Sequence, residues 1–299
     1  MRWRGRRESS NVEDRRGQGG YQAGFPGGGM RIPVGGKGGV GIVGLLIIVG
    51  LMLFFGIDPR VLLEGGAPPG QQTQQQTDDQ TGSEVNDETK KFVSVVLADT
   101  EDVWNEIFAK SGRSYKEPEL VLYSGRVASA CGLGMAAMGP FYCPQDQKVY
   151  LDFSFFQELK SRFKAPGDFA QAYVIAHEIG HHVQKQLGIA DQVAAAQRQT
   201  GERQSNALQV RMELQADCLA GVFANHAQRS KEILQPGDID EALQAASAIG
   251  DDKIQEQSQG YVVPDSFTHG SSEMRVRWFK RGFESGAVSE CNTFDADRL

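Results

Sequence analysis

The chain has 299 residues, of which 31 are basic and 38 are acidic, and 40% are hydrophobic. This length is sufficient for one large domain or two ordinary ones. From residue 58 onward the chain carries 23 basic and 35 acidic side chains, a net charge of about −12. That charge argues against nucleic acid or an anionic lipid surface as a partner of this part of the chain.

Residues 1–37 are basic and rich in glycine, with eight Arg or Lys side chains against three acidic ones. Because apolar residues are sparse, the segment cannot bury enough surface to offset the entropy lost on ordering. We therefore predict a disordered tail. Such a tail could bind nucleic acid or could orient a neighbouring membrane span, and the residues that follow favour the second role.

Residues 38–57 contain no charged side chain and include the run GIVGLLIIVGLMLFF. Twenty such residues are enough for a helix that crosses a bilayer. The run lacks the small residues that precede a signal-peptide cleavage site, and its polar flanks offer a buried core helix nothing to pack against. We predict a single transmembrane helix, with the basic N-terminus in the cytoplasm and the rest outside.

Residues 58–87 form a Gln- and Gly-rich stretch that predicts a flexible linker. Residues 88–299 then predict one α+β domain. ELVLYSG and KVYLDF read as short strands, the second with alternating apolar residues. Helices are predicted over ETKKFVSVVLADTEDVWNEIFAKSG (one helix or a pair), FFQELKSRF, PGDFAQAYVIAHEIGHHVQKQLG, SNALQVRMELQADCLAGVFANHAQ, GDIDEALQAASAIGDDKIQEQ and SSEMRVRWFKRGFESG. Asp168 and Gly188 are the predicted caps of the third, and Ser271 or Ser272 is the predicted N-cap of the last.

The segment HEIGH fits the pattern H-E-x-x-H on an otherwise apolar helix. Residues four apart share one helix face, so His177 and His181 can present two imidazole nitrogens to one zinc ion. Glu178 would then lie near a water in the open coordination position and could accept its proton. A solvent-facing His pair is the alternative, but the apolar neighbours and Gly180, which permits close approach of another element, disfavour it.

The third ligand has few candidates. Gln184 and Leu187 occupy the positions that an extended H-E-x-x-H-x-x-G-x-x-H motif would fill with Gly and His, which excludes that class. In RMELQADCLAG, Glu213 and Asp217 share a helix face. One carboxylate can bind zinc while the other accepts the distal N–H of a liganding His. An ordinary acidic surface helix is the alternative, and His226 is a second candidate ligand.

Three further groups of polar residues are candidates for the site. His269, in a loop before a helix, could stabilise the oxyanion of a tetrahedral intermediate or could simply pack. Arg275 and Arg277 could pair with the acidic helix or lie on the surface, so neither is assigned. His182 is rotated off the face of the metal ligands and is interpreted as a packing residue or a hydrogen-bond partner of a ligand, not as a ligand itself.

All four cysteines follow the apolar run, which predicts disulfides in a translocated domain. Cys131 and Cys143 flank a Gly-rich turn and favour a local bridge. Cys218 and Cys291 would then hold the C-terminal tail. A four-cysteine zinc site is disfavoured because the chain has no C-x-x-C pair.

With HEIGHH, the E-x-x-A-D helix, THGSSEMRVRWF and CNTF in this order, the chain resembles a bacterial family of neutral zinc metallopeptidases over nearly its whole length. The resemblance implies a gluzincin-like zincin fold, mostly helical with a small mixed sheet. It implies one Zn²⁺ bound by His177, His181 and Glu213, with Glu178 as the base and Asp217 in support. It also implies a single span in the bacterial cytoplasmic membrane with the domain outside.

The sequence thus predicts a membrane-anchored zinc endopeptidase that acts on polypeptides outside the cytoplasm, with KVYLDF as a possible edge strand for an extended substrate. Two alternatives stay open. One is a catalytically silent module that binds an envelope partner, and the other is a zinc hydrolase of a non-peptide amide. The oligomeric state is not indicated.

Overall fold

The computed structural model describes residues 1–17 and 79–299, without the side chains of residues 79–86. In this part of the chain helices predominate over a small mixed sheet, as the α+β prediction requires. The strands are Val12–Asp14 (β1), Glu119–Tyr123 (β2), Arg126–Ser129 (β3), Gly132–Met135 (β4), Phe141–Cys143 (β5) and Lys148–Asp152 (β6). The helices are Asp79–Lys110 (α1), Ser154–Ser161 (α2), Asp168–Gln186 (α3), Ile189–Gln197 (α4), Glu202–Lys231 (α5), Asp238–Ala248 (α6), Asp251–Gln259 (α7) and Ser272–Ser285 (α8).

The main sheet is built around two strands that are buried along almost their whole length. Within the described residues the strand order is β1, β2, β6, β5. β1, β2 and β6 are parallel, and β5 runs antiparallel to β6. The interpretation of KVYLDF as an edge strand is therefore wrong, because β6 lies between β2 and β5. β3 and β4 form a separate antiparallel hairpin.

In the core of the domain, α5 packs against both α3 and α8. The backbones of α3 and α5 approach closely at Gly180, where an added Cβ would lie 3.0 Å from the carbonyl oxygen of Ala216. α8 crosses α5 still more tightly at Gly282, where an added Cβ would lie 1.9 Å from the carbonyl oxygen of Cys218. These crossings fix where the side chains of α3 and α5 meet.

Both disulfides form as predicted. Cys131 is bonded to Cys143 and connects the β3–β4 hairpin to β5. Cys218 is bonded to Cys291 and holds the C-terminal segment against α5.

The first 17 residues are folded, so the prediction of a disordered tail over residues 1–37 is wrong for this part. Trp3 is buried with its ring edge against Phe92 of α1, and β1 pairs with β2. Arg6 donates a 2.7 Å hydrogen bond to Asp99 of α1. The prediction rests on the lack of apolar residues alone. In the structure, acidic side chains of α1 pair with the basic side chains of this segment.

The predicted span at residues 38–57 lies outside the described residues, as do residues 18–37 and 58–78. Within the two described ranges, no helix is both long and apolar enough to cross a bilayer. α1 begins at Asp79, inside the segment 58–87 that was predicted as a flexible linker. A helix extends readily into polar residues, because each added residue gains a hydrogen bond on a turn that already exists.

Candidate metal centre and catalytic site

The three polar residues of HEIGH lie inside the protein on α3. His177 and Glu178 are 7% and 8% exposed, and His181 is slightly more accessible. The four-residue spacing puts both histidines on one helix face, with their ring centroids 4.8 Å apart. The sequence therefore buries two imidazoles side by side, next to a carboxylate.

Glu213 of α5 completes this group, which we call the His–His–Glu group. Its Oε2 atom lies 3.2 Å from Nε2 of His177 and 3.5 Å from Nε2 of His181. Donor atoms bound about 2.1 Å from a tetrahedral ion are about 3.4 Å apart. These three side chains, whose donor atoms all lie within 4.8 Å of one another, therefore fit one zinc ion. The close crossing of α3 and α5 at Gly180 makes the approach of Glu213 possible.

Both imidazoles are held through their other ring nitrogen. Nδ1 of His177 lies 2.8 Å from Oδ1 of Asp217, and Nδ1 of His181 lies 2.9 Å from Oε1 of Gln184. Because these oxygens accept a hydrogen bond, each Nδ1 carries the proton and each Nε2 is left as a donor to a metal. Asp217 has the position predicted for it. The role of Gln184 was missed, although an amide three residues after His181 on the same helix was a signal for it.

Asp217 is itself held by two buried side chains. Tyr173 donates a 2.5 Å hydrogen bond to its Oδ1 atom. Arg275 donates to both carboxylate oxygens, at 2.8 and 2.9 Å. Burial opposes ionisation of Asp217, but the charges of Arg275 and His177 lower its pKa to about 2. Of the two arginines left unassigned, Arg275 thus pairs with the acidic helix, whereas Arg277 binds Glu273 on α8.

Replacing Arg275 by Gln is expected to lower the free energy of unfolding by about 3 kcal/mol, because Asp217 would keep a buried charge without its cation. Arg281→Gln is the matched control, since Arg281 is half-exposed and its ion pair with Glu290 should contribute less than about 1 kcal/mol. Urea denaturation of the zinc-saturated proteins measures both. If both variants lost the same amount of unfolding free energy, the role assigned to Arg275 would be contradicted.

The electrostatics of the His–His–Glu group favour a cation. Burial opposes the charged form of His177, yet Asp217 and Glu213 raise its pKa to about 10. Burial likewise opposes ionisation of Glu213, but the two histidines hold its pKa well below the usual value. Gln209 donates a 2.8 Å hydrogen bond to the other carboxylate oxygen of Glu213. A divalent cation in this group would be stabilised by the same negative charges, and it would replace the protons on the two Nε2 atoms.

Glu178 is buried beside these ligands. Burial raises the pKa of its carboxyl group, an effect that the nearby histidines partly oppose. A carboxylate with a raised pKa is suited to take up a proton and release it again near neutral pH.

His269 lies at the same site, on the segment that leads into α8. At the next residue, Gly270, an added Cβ would lie 3.3 Å from the side chain of Leu214, so this segment packs against α5 beside the position of Glu213. Partial burial opposes the imidazolium of His269, but Asp251 and Glu213 raise its pKa. Asp251 lies 3.2 Å from its Nδ1 atom and also accepts hydrogen bonds from the backbone N–H groups of residues 268, 269 and 270.

Asp251 was missed from the sequence because the helix predicted over GDIDEALQAASAIGDDKIQEQ is two helices. α6 ends at Ala248 and α7 begins at Asp251. The break occurs at Gly250, where an added Cβ would lie 2.5 Å from the backbone nitrogen of Ser272. The chain turns here, and the turn directs Asp251 towards the His269 loop.

The two other candidate histidines lie away from the His–His–Glu group. His226 is near the end of α5 and bonds the carbonyl of Gly286 at 2.8 Å, so it is not the third ligand. His182 is fully buried between Tyr142, whose hydroxyl lies 3.0 Å from Nδ1, and the carbonyl of Lys116, 2.7 Å from Nε2. It packs α3 against β5 and the loop before β2.

His182 should make the stability of the protein fall in weak acid. Burial lowers its pKa to about 4, so below about pH 6.5 the unfolded chain takes up a proton that the folded protein excludes. The contribution of neutral His182 to the free energy of unfolding is fully present above about pH 6.5. It is lost as the pH falls to about 4, and the total loss is about 3 kcal/mol. Denaturation of the native protein and of His182→Phe across this range measures the difference. If the free energy of unfolding fell in parallel with pH for the two proteins, the role assigned to His182 would be contradicted.

A second group of carboxylates, Asp168, Asp238 and Glu241, also has the spacing of a metal site. The α-ammonium group of Met1 is buried among them. It contacts Asp168 and lies 3.3 Å from an oxygen of Asp238. This positive charge offsets part of the negative charge of the group, and the contacts join the N-terminal segment to the start of α3.

Comparison with known proteins shows the family of the chain. A family model described as "Putative neutral zinc metallopeptidase" matches residues 1–294. "Uncharacterized protein YpfJ" of Escherichia coli K12 is 51% identical over 295 residues, covering 98% of this chain and 99% of that protein. "Uncharacterized protein Rv2575" of Mycobacterium tuberculosis H37Rv is 39% identical over 229 residues, covering 73% and 75%. No solved structure matches the chain.

Proposed function

The chain belongs to the family of neutral zinc metallopeptidases, and from this premise we propose that it is a zinc-dependent endopeptidase of the gluzincin type that hydrolyses polypeptides outside the cytoplasm. The observation that carries the proposal is the His–His–Glu group with the buried carboxyl of Glu178 beside it. A module that only bound zinc would have no use for a buried base next to the ligands.

Each residue of the site has its own role in peptide hydrolysis. His177, His181 and Glu213 would hold the zinc ion, which would supply Lewis-acid polarisation of the scissile carbonyl and a more acidic water molecule. Glu178 accepts the proton of the attacking water and returns it to the leaving amine. His269, held by Asp251, donates a hydrogen bond to the oxyanion that develops on the carbonyl. Asp217 and Gln184 keep the two imidazoles in the orientation that binds the metal.

The proposed location is supported by the two disulfides, which form and persist in oxidising compartments outside the cytoplasm. The apolar, uncharged run at residues 38–57 supports attachment to the membrane, and this attachment does not depend on a single crossing. That attachment remains a prediction.

The test uses the full-length protein with its cysteines oxidised. Bound metal is measured by mass spectrometry, and cleavage is measured on a diverse peptide library and on cell-wall fragments. We expect about one zinc per chain and peptide cleavage that a chelator abolishes and added zinc restores. Cleavage of cell-wall amides alone would change the substrate class. Zinc without any hydrolysis would favour a binding module, and absence of zinc would refute the site.

A further inference from the structure

The N-terminal segment, residues 1–17, is held to three separate parts of the domain by main-chain hydrogen bonds. Next to β1, the N–H of Leu120 donates to the carbonyl of Asn11 at 2.8 Å, alongside β2. The N–H of Ser9 donates to a carbonyl of α1, and that of Arg2 to the carbonyl of Ile233, at 2.9 and 2.7 Å. Such bonds to the sheet, to α1 and to the chain after α5 make the segment an integral part of the fold.

Buried charges of α1 reinforce this attachment. Asp99 is 2% exposed and is paired with Arg6 of the segment at 2.7 Å and with Lys231 at 2.8 Å. Glu101 is 1% exposed and accepts hydrogen bonds from Arg7 and Asn11 of the segment, at 3.1 and 2.8 Å. A buried carboxylate is costly without its partners, so these residues of α1 favour a segment that stays docked.

We infer that residues 1–17 and residues 88–299 lie on the same side of the cytoplasmic membrane, and that the N-terminal segment is a permanent part of the peptidase domain. A single crossing by residues 38–57 would separate the two parts, which then could not share a sheet. The predicted topology, with the N-terminus in the cytoplasm and the domain outside, is therefore incompatible with this fold. Because the disulfides favour an oxidising compartment, the N-terminus is expected outside as well.

Cysteine labelling in intact bacterial cells tests the inference on the full-length chain. Arg4→Cys and Ser258→Cys each add one thiol at an exposed position, one in the segment and one in the domain. A maleimide that cannot cross the cytoplasmic membrane is applied before and after permeabilisation. We expect both thiols to be labelled equally in intact cells. Labelling of Ser258→Cys alone would overturn the inference.

Two other outcomes separate this inference from the proposed function. If neither thiol is labelled until the cells are permeabilised, both parts lie in the cytoplasm. The shared side would then be upheld, and the external location of the peptidase would be refuted. Loss of peptidase activity in an assay would leave the labelling result unaffected, because the inference rests on the packing of residues 1–17 alone.

A stability measurement tests the docking directly. In the full-length protein, Arg6→Ala should lower the Tm by roughly 5 °C, because Asp99 loses one of its two partners. Arg4→Ala is the matched control, since Arg4 is 74% exposed and pairs with the exposed Glu88. Its Tm should stay within about 1 °C of the native value. The same Tm for Arg6→Ala and Arg4→Ala would show that the segment is not docked.

Discussion

Replacing Glu178 by Gln is expected to lower kcat/KM for peptide hydrolysis by roughly 10³- to 10⁴-fold. The amide has nearly the shape of the carboxylate but cannot accept the proton of the attacking water. Glu178 is not one of the three side chains of the His–His–Glu group, so zinc binding should stay close to that of the native protein. The measurement pairs steady-state kinetics on a fluorogenic peptide with the zinc content of the same samples.

Glu256→Gln is the control for this experiment, because it makes the same chemical change at an exposed position of α7. It should leave both kcat/KM and zinc content unchanged. A Glu178→Gln protein that retains zinc and more than a tenth of native activity would refute the assignment of Glu178 as the base. A protein that loses zinc as well would instead indicate that Glu178 binds the metal.

Replacing Glu213 by Gln is expected to weaken zinc binding by far more than 100-fold, since it removes the one anionic ligand of the group. Asp217→Asn, which changes only the partner of His177, should weaken zinc binding by about 10- to 100-fold. Competition with a fluorescent zinc chelator measures both. Glu202→Gln, an exposed change on the same helix α5, should leave zinc affinity unchanged.

The order of these losses distinguishes two arrangements of the site. If Asp217→Asn were the more damaging change, Asp217 would be the metal ligand and Glu213 its support, which is the alternative that helix periodicity alone leaves open. The 3.2 and 3.5 Å distances from Glu213 to the two Nε2 atoms predict the opposite order.

The sequence predicted those parts of the site that depend on spacing within one helix. His177 and His181 follow from the four-residue spacing on α3, with Glu178 next to the first of them, and Glu213 and Asp217 follow from the same spacing on α5. Ser271 caps α8, where its hydroxyl accepts the N–H of Met274, as a serine before an amphipathic run indicates. These features are local, so one stretch of sequence contains all the information that they need.

Apart from Gln184, which lies three positions after His181, the features that were missed join residues distant in the chain. Arg275 meets Asp217 across 58 positions, and Asp251 meets His269 across 18. An arginine on a helix or an aspartate after a glycine has many possible partners, and no periodic pattern selects one. The same reason explains the error at residues 1–17, whose acidic partners on α1 lie about 90 positions further along the chain.

The docking of the N-terminal segment also constrains the order in which the protein folds. Arg2 donates a hydrogen bond to the carbonyl of Glu232, 230 positions away. Arg2 can therefore make this contact only after the first 232 residues have been made. Until β1 docks, β2 lacks its neighbour on one side, and an uncovered strand edge favours pairing with other chains. Docking of the N-terminal segment is therefore expected to be a late step in the folding of this protein.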